Sequence, residues 1–190
     1  MSEYRRIGRC NLRIPINSLV NFDNLYHLVC EKSDTIKGSQ NSYRYAKDIL
    51  QGNNVPYTIL QSIANSPDYS YRYTRDILQG KNVPDIILQS IVKDTYSSYR
   101  YAKNVLKGNN VPYIILQSIA NSPNFSYRYA RDVLKGRNVP DIILQGIAKD
   151  SYSSYSYAKD VLKGEDVPDI ILQRIANSPD YSYRSLTEAL

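Results

Sequence analysis

Five glutamines stand 28 residues apart in this chain: Gln61, Gln89, Gln117, Gln145 and Gln173. A carboxamide offers two donors and an acceptor, so a row of them is chemistry for hydrogen bonding along a partner. Four residues before each lies Tyr57, Asp85, Tyr113, Asp141 or Asp169; four after lies Asn65, Lys93, Asn121, Lys149 or Asn177. Residues four apart share one face of a helix, so the spacing predicts a polar track. Its candidate binding residues are the five glutamines with Tyr57, Tyr113, Lys93 and Lys149. A second set is basic. Arg44, Arg72, Arg100 and Arg128 recur at the same interval, with Lys47, Arg75, Lys103, Arg131 and Lys159 one turn along. If stacked, Arg72, Arg75, Arg100, Lys103, Lys107, Arg128 and Arg131 could follow a phosphate backbone. Asp48, Asp76 and Asp132 stand four residues after Arg44, Arg72 and Arg128, where each pair would neutralise itself for about 0.2–0.5 kcal/mol. Only Arg100 faces an asparagine, Asn104, and Ser156 replaces the arginine of the fifth set.

Catalytic chemistry is poorly provided for. His27 is the only histidine and falls in an apolar run. There is no nucleophile–base pair, metal-ligand cluster or phosphate-binding glycine loop, so the chain is expected to be no enzyme and to need no cofactor or metal. Cys10 and Cys30 lack metal-ligand spacing and read as reduced thiols of a cytoplasmic protein. No apolar run is long enough for a membrane span, and the basic N-terminus lacks the apolar core of a secretory signal. Arg5, Arg6, Arg9 and Arg13 could grip an anion or stay solvated.

The elements that must position these ladders come from a repeated sentence. Copies of 28 residues begin at Ser42, Ser70, Ser98, Ser126 and Ser154 (42–69, 70–97, 98–125, 126–153, 154–181), with a partial sixth at 182–190. Such a period marks a stacked architecture in which no unit buries its apolar face alone. Within a copy, position 11 is always glycine, suited to a left-handed helix exit; position 15 is always proline, suited to a helix entry. Position 25 is Ser66, Asp94, Ser122, Asp150 or Ser178, all N-capping residues. The punctuation predicts helix A from about position 26 to position 10 of the next copy, and helix B from about 15 to 24. In copy three, helix A should bury Ser98, Ala102, Val105 and Leu106, with Tyr99 and Tyr101 covering the seam and keeping their hydroxyls wet. Helix B should bury Val111, Ile115, Leu116, Ile119 and Ala120 and expose Tyr113, Gln117 and Asn121.

Alternate copies agree best: one and three match at 22 of 28 positions, while neighbours one and two match at 17. The array therefore grew by duplicating a 56-residue pair. The local charge is +3 in copy three and +2 in copy four but −2 in copy five, within a total of +6. Residues 1–41 do not repeat and predict an extended arm followed by a helical cap with Phe22, Leu25, Leu28 and Val29 inward. The tail SYRSLTEAL predicts a closing helix with Leu186 and Leu190 on the core.

The run VPDIILQGIAKD followed by SYSYA resembles the two-helix units of HEAT-like and leucine-rich-repeat-variant proteins, over residues 42–190. SYxYAKxVLKG wording is also similar to repeats in uncharacterised bacterial and phage or viral proteins. A second resemblance, to TAL-effector repeats, rests on a proline before an apolar helix ending in I-A; the loops SPDY and DTYS lack that family's glycine pair, which argues against base readout. The expected fold is all-α: a right-handed α-solenoid of five helix-turn-helix repeats between an N-terminal cap and a C-terminal capping helix. The expected function is a non-enzymatic scaffold binding a protein or peptide along its helix-B, concave face, with nucleic-acid binding by the helix-A ladder and the arm as the alternative. The sequence sets no oligomeric state.

Overall fold

The computed structural model describes residues 38–181 together with two short strands, β1 (Tyr4–Arg6) and β2 (Arg13–Pro15). The strands pair antiparallel, with Arg5 opposite Ile14. Residues 1–37 form a compact unit of their own, and within it the expected extended arm is a folded-back pair of strands. The cap helix, His27, both cysteines and the closing helix after 181 lie outside the described residues.

Residues 38–181 are helical throughout, with no strand among them. Helix A of successive copies is α1 (Gly38–Arg44), α3 (Pro67–Tyr73), α5 (Thr95–Arg100), α7 (Pro123–Tyr129) and α9 (Ser151–Ser156). Helix B is α2 (Tyr57–Ala64), α4 (Asp85–Ile91), α6 (Tyr113–Ala120), α8 (Asp141–Ile147) and α10 (Asp169–Ala176). Among the described residues no helix is long and apolar enough to cross a membrane. Each helix is too short to persist alone in water, so packing holds it.

Helix A does not end as an α-helix. Each runs into five residues of π-helix, Tyr45–Ile49, Thr74–Leu78, Tyr101–Val105, Ala130–Leu134 and Tyr157–Val161. In the first copy the Leu50 amide reaches back to Tyr45 O at 3.1 Å, and Gly52 N to Ala46 O at 3.0 Å. The wider turn adds a residue to the face, which a uniform 100° wheel does not anticipate. It closes on two consecutive left-handed residues, Gln51 (φ 52°) and Gly52 (φ 79°), and Asn54 (φ 45°) follows; all five loops repeat the pattern. Glycine at position 11 is fixed twice over. Its φ requires it, and a Cβ at Gly52, Gly80 or Gly108 would come within 3 Å of Ile77, Val105 or Val133 of the next copy. Proline sits one residue earlier than expected, as N-cap of helix B, where Pro56 O accepts from Ile59 N and Leu60 N.

The core is an aliphatic and serine ribbon. Ile59, Ile63, Ile87, Ile91, Ile115, Ile119, Ile143 and Ile147 are fully buried, and so are Ser42, Ser70, Ser98, Ser126 and Ser154. The serine hydroxyl donates backward to the end of the preceding helix B, as in Ser98 Oγ to Ile91 O at 3.1 Å. That satisfies a carbonyl the helix end leaves open and lets two helices approach closely. Joints between copies alternate. Helix B packs closely on its neighbour from odd to even copy (α2 on α4, α6 on α8), while from even to odd the π segments close and helix B touches more loosely, as α8 does α10.

Candidate functional site

The tyrosines of helix A are not a wet seam. At position 4, Tyr73, Tyr101, Tyr129 and Tyr157 are 2–3% exposed, and burial pushes each phenol pKa up. At position 2, the hydroxyls reach into the next copy. Tyr43 donates to Asp76 at 2.5 Å, Tyr99 to Asp132 at 2.9 Å and Tyr127 to Asp160 at 3.2 Å; the amide of Asn104 donates to the Tyr71 hydroxyl at 3.0 Å. So the expectation of wet position-2 hydroxyls is corrected: the acid at position 7 binds across the joint.

The same bonds re-route the arginines. Arg72 pairs with Asp68 (2.8 Å), not with Asp76, which takes Arg75 (2.5 Å) and Lys47 (3.8 Å). Arg100, expected to stand without an acid, binds Asp68 of copy one at 2.7 Å and lies 4.1 Å from the Tyr71 ring centre. Lys103 and Arg131 share Asp132 at 3.1 and 2.7 Å. Hydrogen bonds from Arg75 hold Asp76 down at about 2, with Tyr43 helping against the opposing effect of burial. Burial opposes ionisation of Asp132 as well, and bonds from Arg131, Tyr99 and Lys103 outweigh it, leaving the carboxyl at about 2. Desolvation, with the Asp76 bond, raises the Tyr43 phenol far above its usual value. Cations also cover rings, among them Lys47 over Tyr43 (5.7 Å), Lys103 over Tyr99 (5.4 Å) and Arg131 over Tyr127 (5.0 Å). Of the seven anion-binding candidates, Arg72, Arg75, Arg100, Lys103 and Arg131 are therefore engaged by carboxylates. Among the described residues Arg128 meets the Phe125 ring alone, at 6.0 Å. Lys107 is not on helix A at all; it is the first left-handed residue of its loop, φ 53°.

Helix B presents the opposite condition. Gln61, Gln89, Gln117, Gln145 and Gln173 are all exposed, and none has a hydrogen-bond partner among the described residues. Ile59, Ile63, Ile115 and Ile119 turn inward beneath them. Tyr57 and Tyr113 are 62% and 63% exposed, with no ring or cation against them among the described residues. Lys93 is exposed; Lys149 donates to Ala120 O at 2.8 Å, and is partly consumed by the joint. Asp85, Asp141 and Asp169 are exposed, with no ion pair among the described residues. The structure thus brings the predicted track onto one solvent face. It also reveals an open cleft of about 400 Å³ between the last two loops, lined by Lys135, Arg137, Leu144, Tyr157, Glu165 and Asp166. Only the charge alternation KGR/KGE in those loops hinted at it.

Comparison with known proteins returns no match: no family model, no curated protein and no solved structure is significantly similar to this chain.

Proposed function

We propose that residues 42–190 form a capped α-solenoid, a non-enzymatic cytoplasmic scaffold whose helix-B face binds a protein or peptide. One observation carries the reading. Five exposed amides recur on helix B with no side-chain hydrogen bond among the described residues, in a molecule whose other polar ladder is largely spent on its own joints. Exposed tyrosines at Tyr57 and Tyr113 add the amphipathic contact area common at interfaces. The test is fluorescence binding of a twelve-residue peptide library to the wild-type chain and to the Gln89→Glu/Gln117→Glu variant. Selected peptides should weaken at least tenfold with the melting curve unchanged. Equal binding to both proteins overturns the site.

The nucleic-acid reading keeps two supports, Lys107 and Arg128, which no carboxylate among the described residues engages, in the copies of highest positive charge. Oligonucleotides offered at low salt should bind and release steeply as salt rises; no binding there removes that reading.

A further inference from the structure

The edge of the helix-B face that holds position 16 carries Tyr57, Asp85, Tyr113, Asp141 and Asp169 in order. Helix B packs most closely on its neighbour from odd to even copies, and more loosely from copy four to copy five, so the five divide into two equivalent couples and a single acid. Tyr57 opens α2 and Asp85 opens α4, which pack on one another. Tyr113 opens α6 and Asp141 opens α8, which do the same. We propose that each couple receives a Lys or Arg side chain from one extended, basic polypeptide. The proposal rests on the helix-B reading and names its partner's chemistry.

The molecule supplies its own precedent. Across the helix-A joints, a tyrosine of one copy and an aspartate of the next enclose a cation: Tyr43 and Asp76 with Lys47, Tyr99 and Asp132 with Lys103. On helix B a tyrosine and an aspartate again open neighbouring, packed helices, with no cation bonded to either among the described residues. A carboxylate supplies charge and an aromatic face supplies a second, sequence-tolerant attraction for the same ion.

One structural role accounts for part of this. An aspartate in the first turn complements the helix dipole, which explains Asp85 and Asp141 but gives no reason for a tyrosine 62% exposed at the corresponding place. The positive end of the helix opposes an incoming cation, and the aspartates reverse that sign at the edge. Among the described residues no cation fills the couples. Lys81 and Arg137 stand four residues before Asp85 and Asp141 without an ion pair to them. Lys93 lies beyond Ile91, the last residue of its helix, at the opposite end from Asp85.

Geometry sets the spacing of the ligand. Helices packed at ~8–10 Å put the two couples, two copies apart, ~16–20 Å from each other. An extended chain rising ~3.3 Å per residue covers that in five or six residues. The probe is a twelve-residue Gly/Ser/Thr peptide with arginines at positions 3 and 9. Controls carry them at 3 and 6, or replace both by glutamate. By fluorescence anisotropy at low salt the 3/9 peptide should bind at least fivefold tighter than the 3/6 peptide, and the glutamate peptide should not bind. Asp85→Asn/Asp141→Asn should abolish that preference without shifting the melting curve, and Tyr57→Ser/Tyr113→Ser should weaken it. Three results overturn the proposal: no preference for 3/9, an intact preference in the Asp→Asn variant, or tighter binding of the acidic peptide or of an oligonucleotide at this edge. If library peptides still bind and respond to Gln89→Glu/Gln117→Glu, the face survives while the cation track falls; if neither happens, both fail.

Discussion

Helix A and helix B of each copy spell with the same polar letters and use them differently. On helix A, tyrosine, aspartate and a basic residue meet across the joint, so Tyr99, Asp132, Lys103 and Arg131 bond to one another. On helix B and the turns that end it, Tyr113, Asp141 and Lys93 face water, while Lys149 and Arg174 have turned back to the backbone. The lesson is that a recurrent polar ladder is not in itself a binding surface. Recurrence fits a stack of joints equally well, and the discriminating quantity is whether neighbouring copies already supply the partner.

That comparison can be broken in three places. The largest contrast is between two tyrosines of similar sequence standing: Tyr129→Ala should lose about 3–5 kcal/mol, whereas Tyr113→Ala should stay within about 0.5 kcal/mol. Urea denaturation reads both, and similar losses would erase the distinction between joint and surface. Next comes acid. Asp76 and Asp132 titrate at about 2 in the fold against an ordinary 3.8. A depressed carboxylate contributes stability that is full above the unfolded value and lost as pH falls, so the contribution should fade from about pH 4 down to about 2. Screening of the half-exposed cations leaves roughly 1 kcal/mol for each. Asp76→Asn/Asp132→Asn should flatten this limb of the stability profile. The smallest effect is at Ser90, whose buried hydroxyl has no partner among the described residues. Removing it in Ser90→Ala should raise stability by about 0.5–1 kcal/mol, while Ser98→Ala, which breaks the bond to Ile91, should lower it.

Much of the helical layout was legible. The turn at Gly52, the helix entry at Pro56 and the caps at Asp94 and Asp150 follow from one-residue backbone chemistry, and Asp94 does accept from Ser97 N at 2.8 Å. The inward isoleucines and the outward Gln117 follow from period alone. The π turn was hidden because it changes the period inside one helix, and with it went the burial of Tyr101 and the loop placement of Lys107. The arginine pairing misled for a different reason. A spacing of four is a local rule, while the partners of Arg100 and Tyr43 lie 32 and 33 residues away. Such bonds combine a 28-residue repeat with one helical turn, and no single copy displays them.

The alternation of joints has a consequence for how this gene could change length. An odd-to-even joint needs a small residue at position 21 of the even helix B: Gly146 there would bring a Cβ to 2.9 Å from Ala120 Cα and against the Ser126 hydroxyl, and copy two meets the same place with a serine. Copy five carries Arg174 at that position, which suits only a joint of the looser kind. Recombination that inserts or deletes 56 residues keeps every joint with its proper neighbour. A 28-residue slip could set Arg174 against a seam that elsewhere holds Gly146 or Ser90, so the packing favours change in pairs.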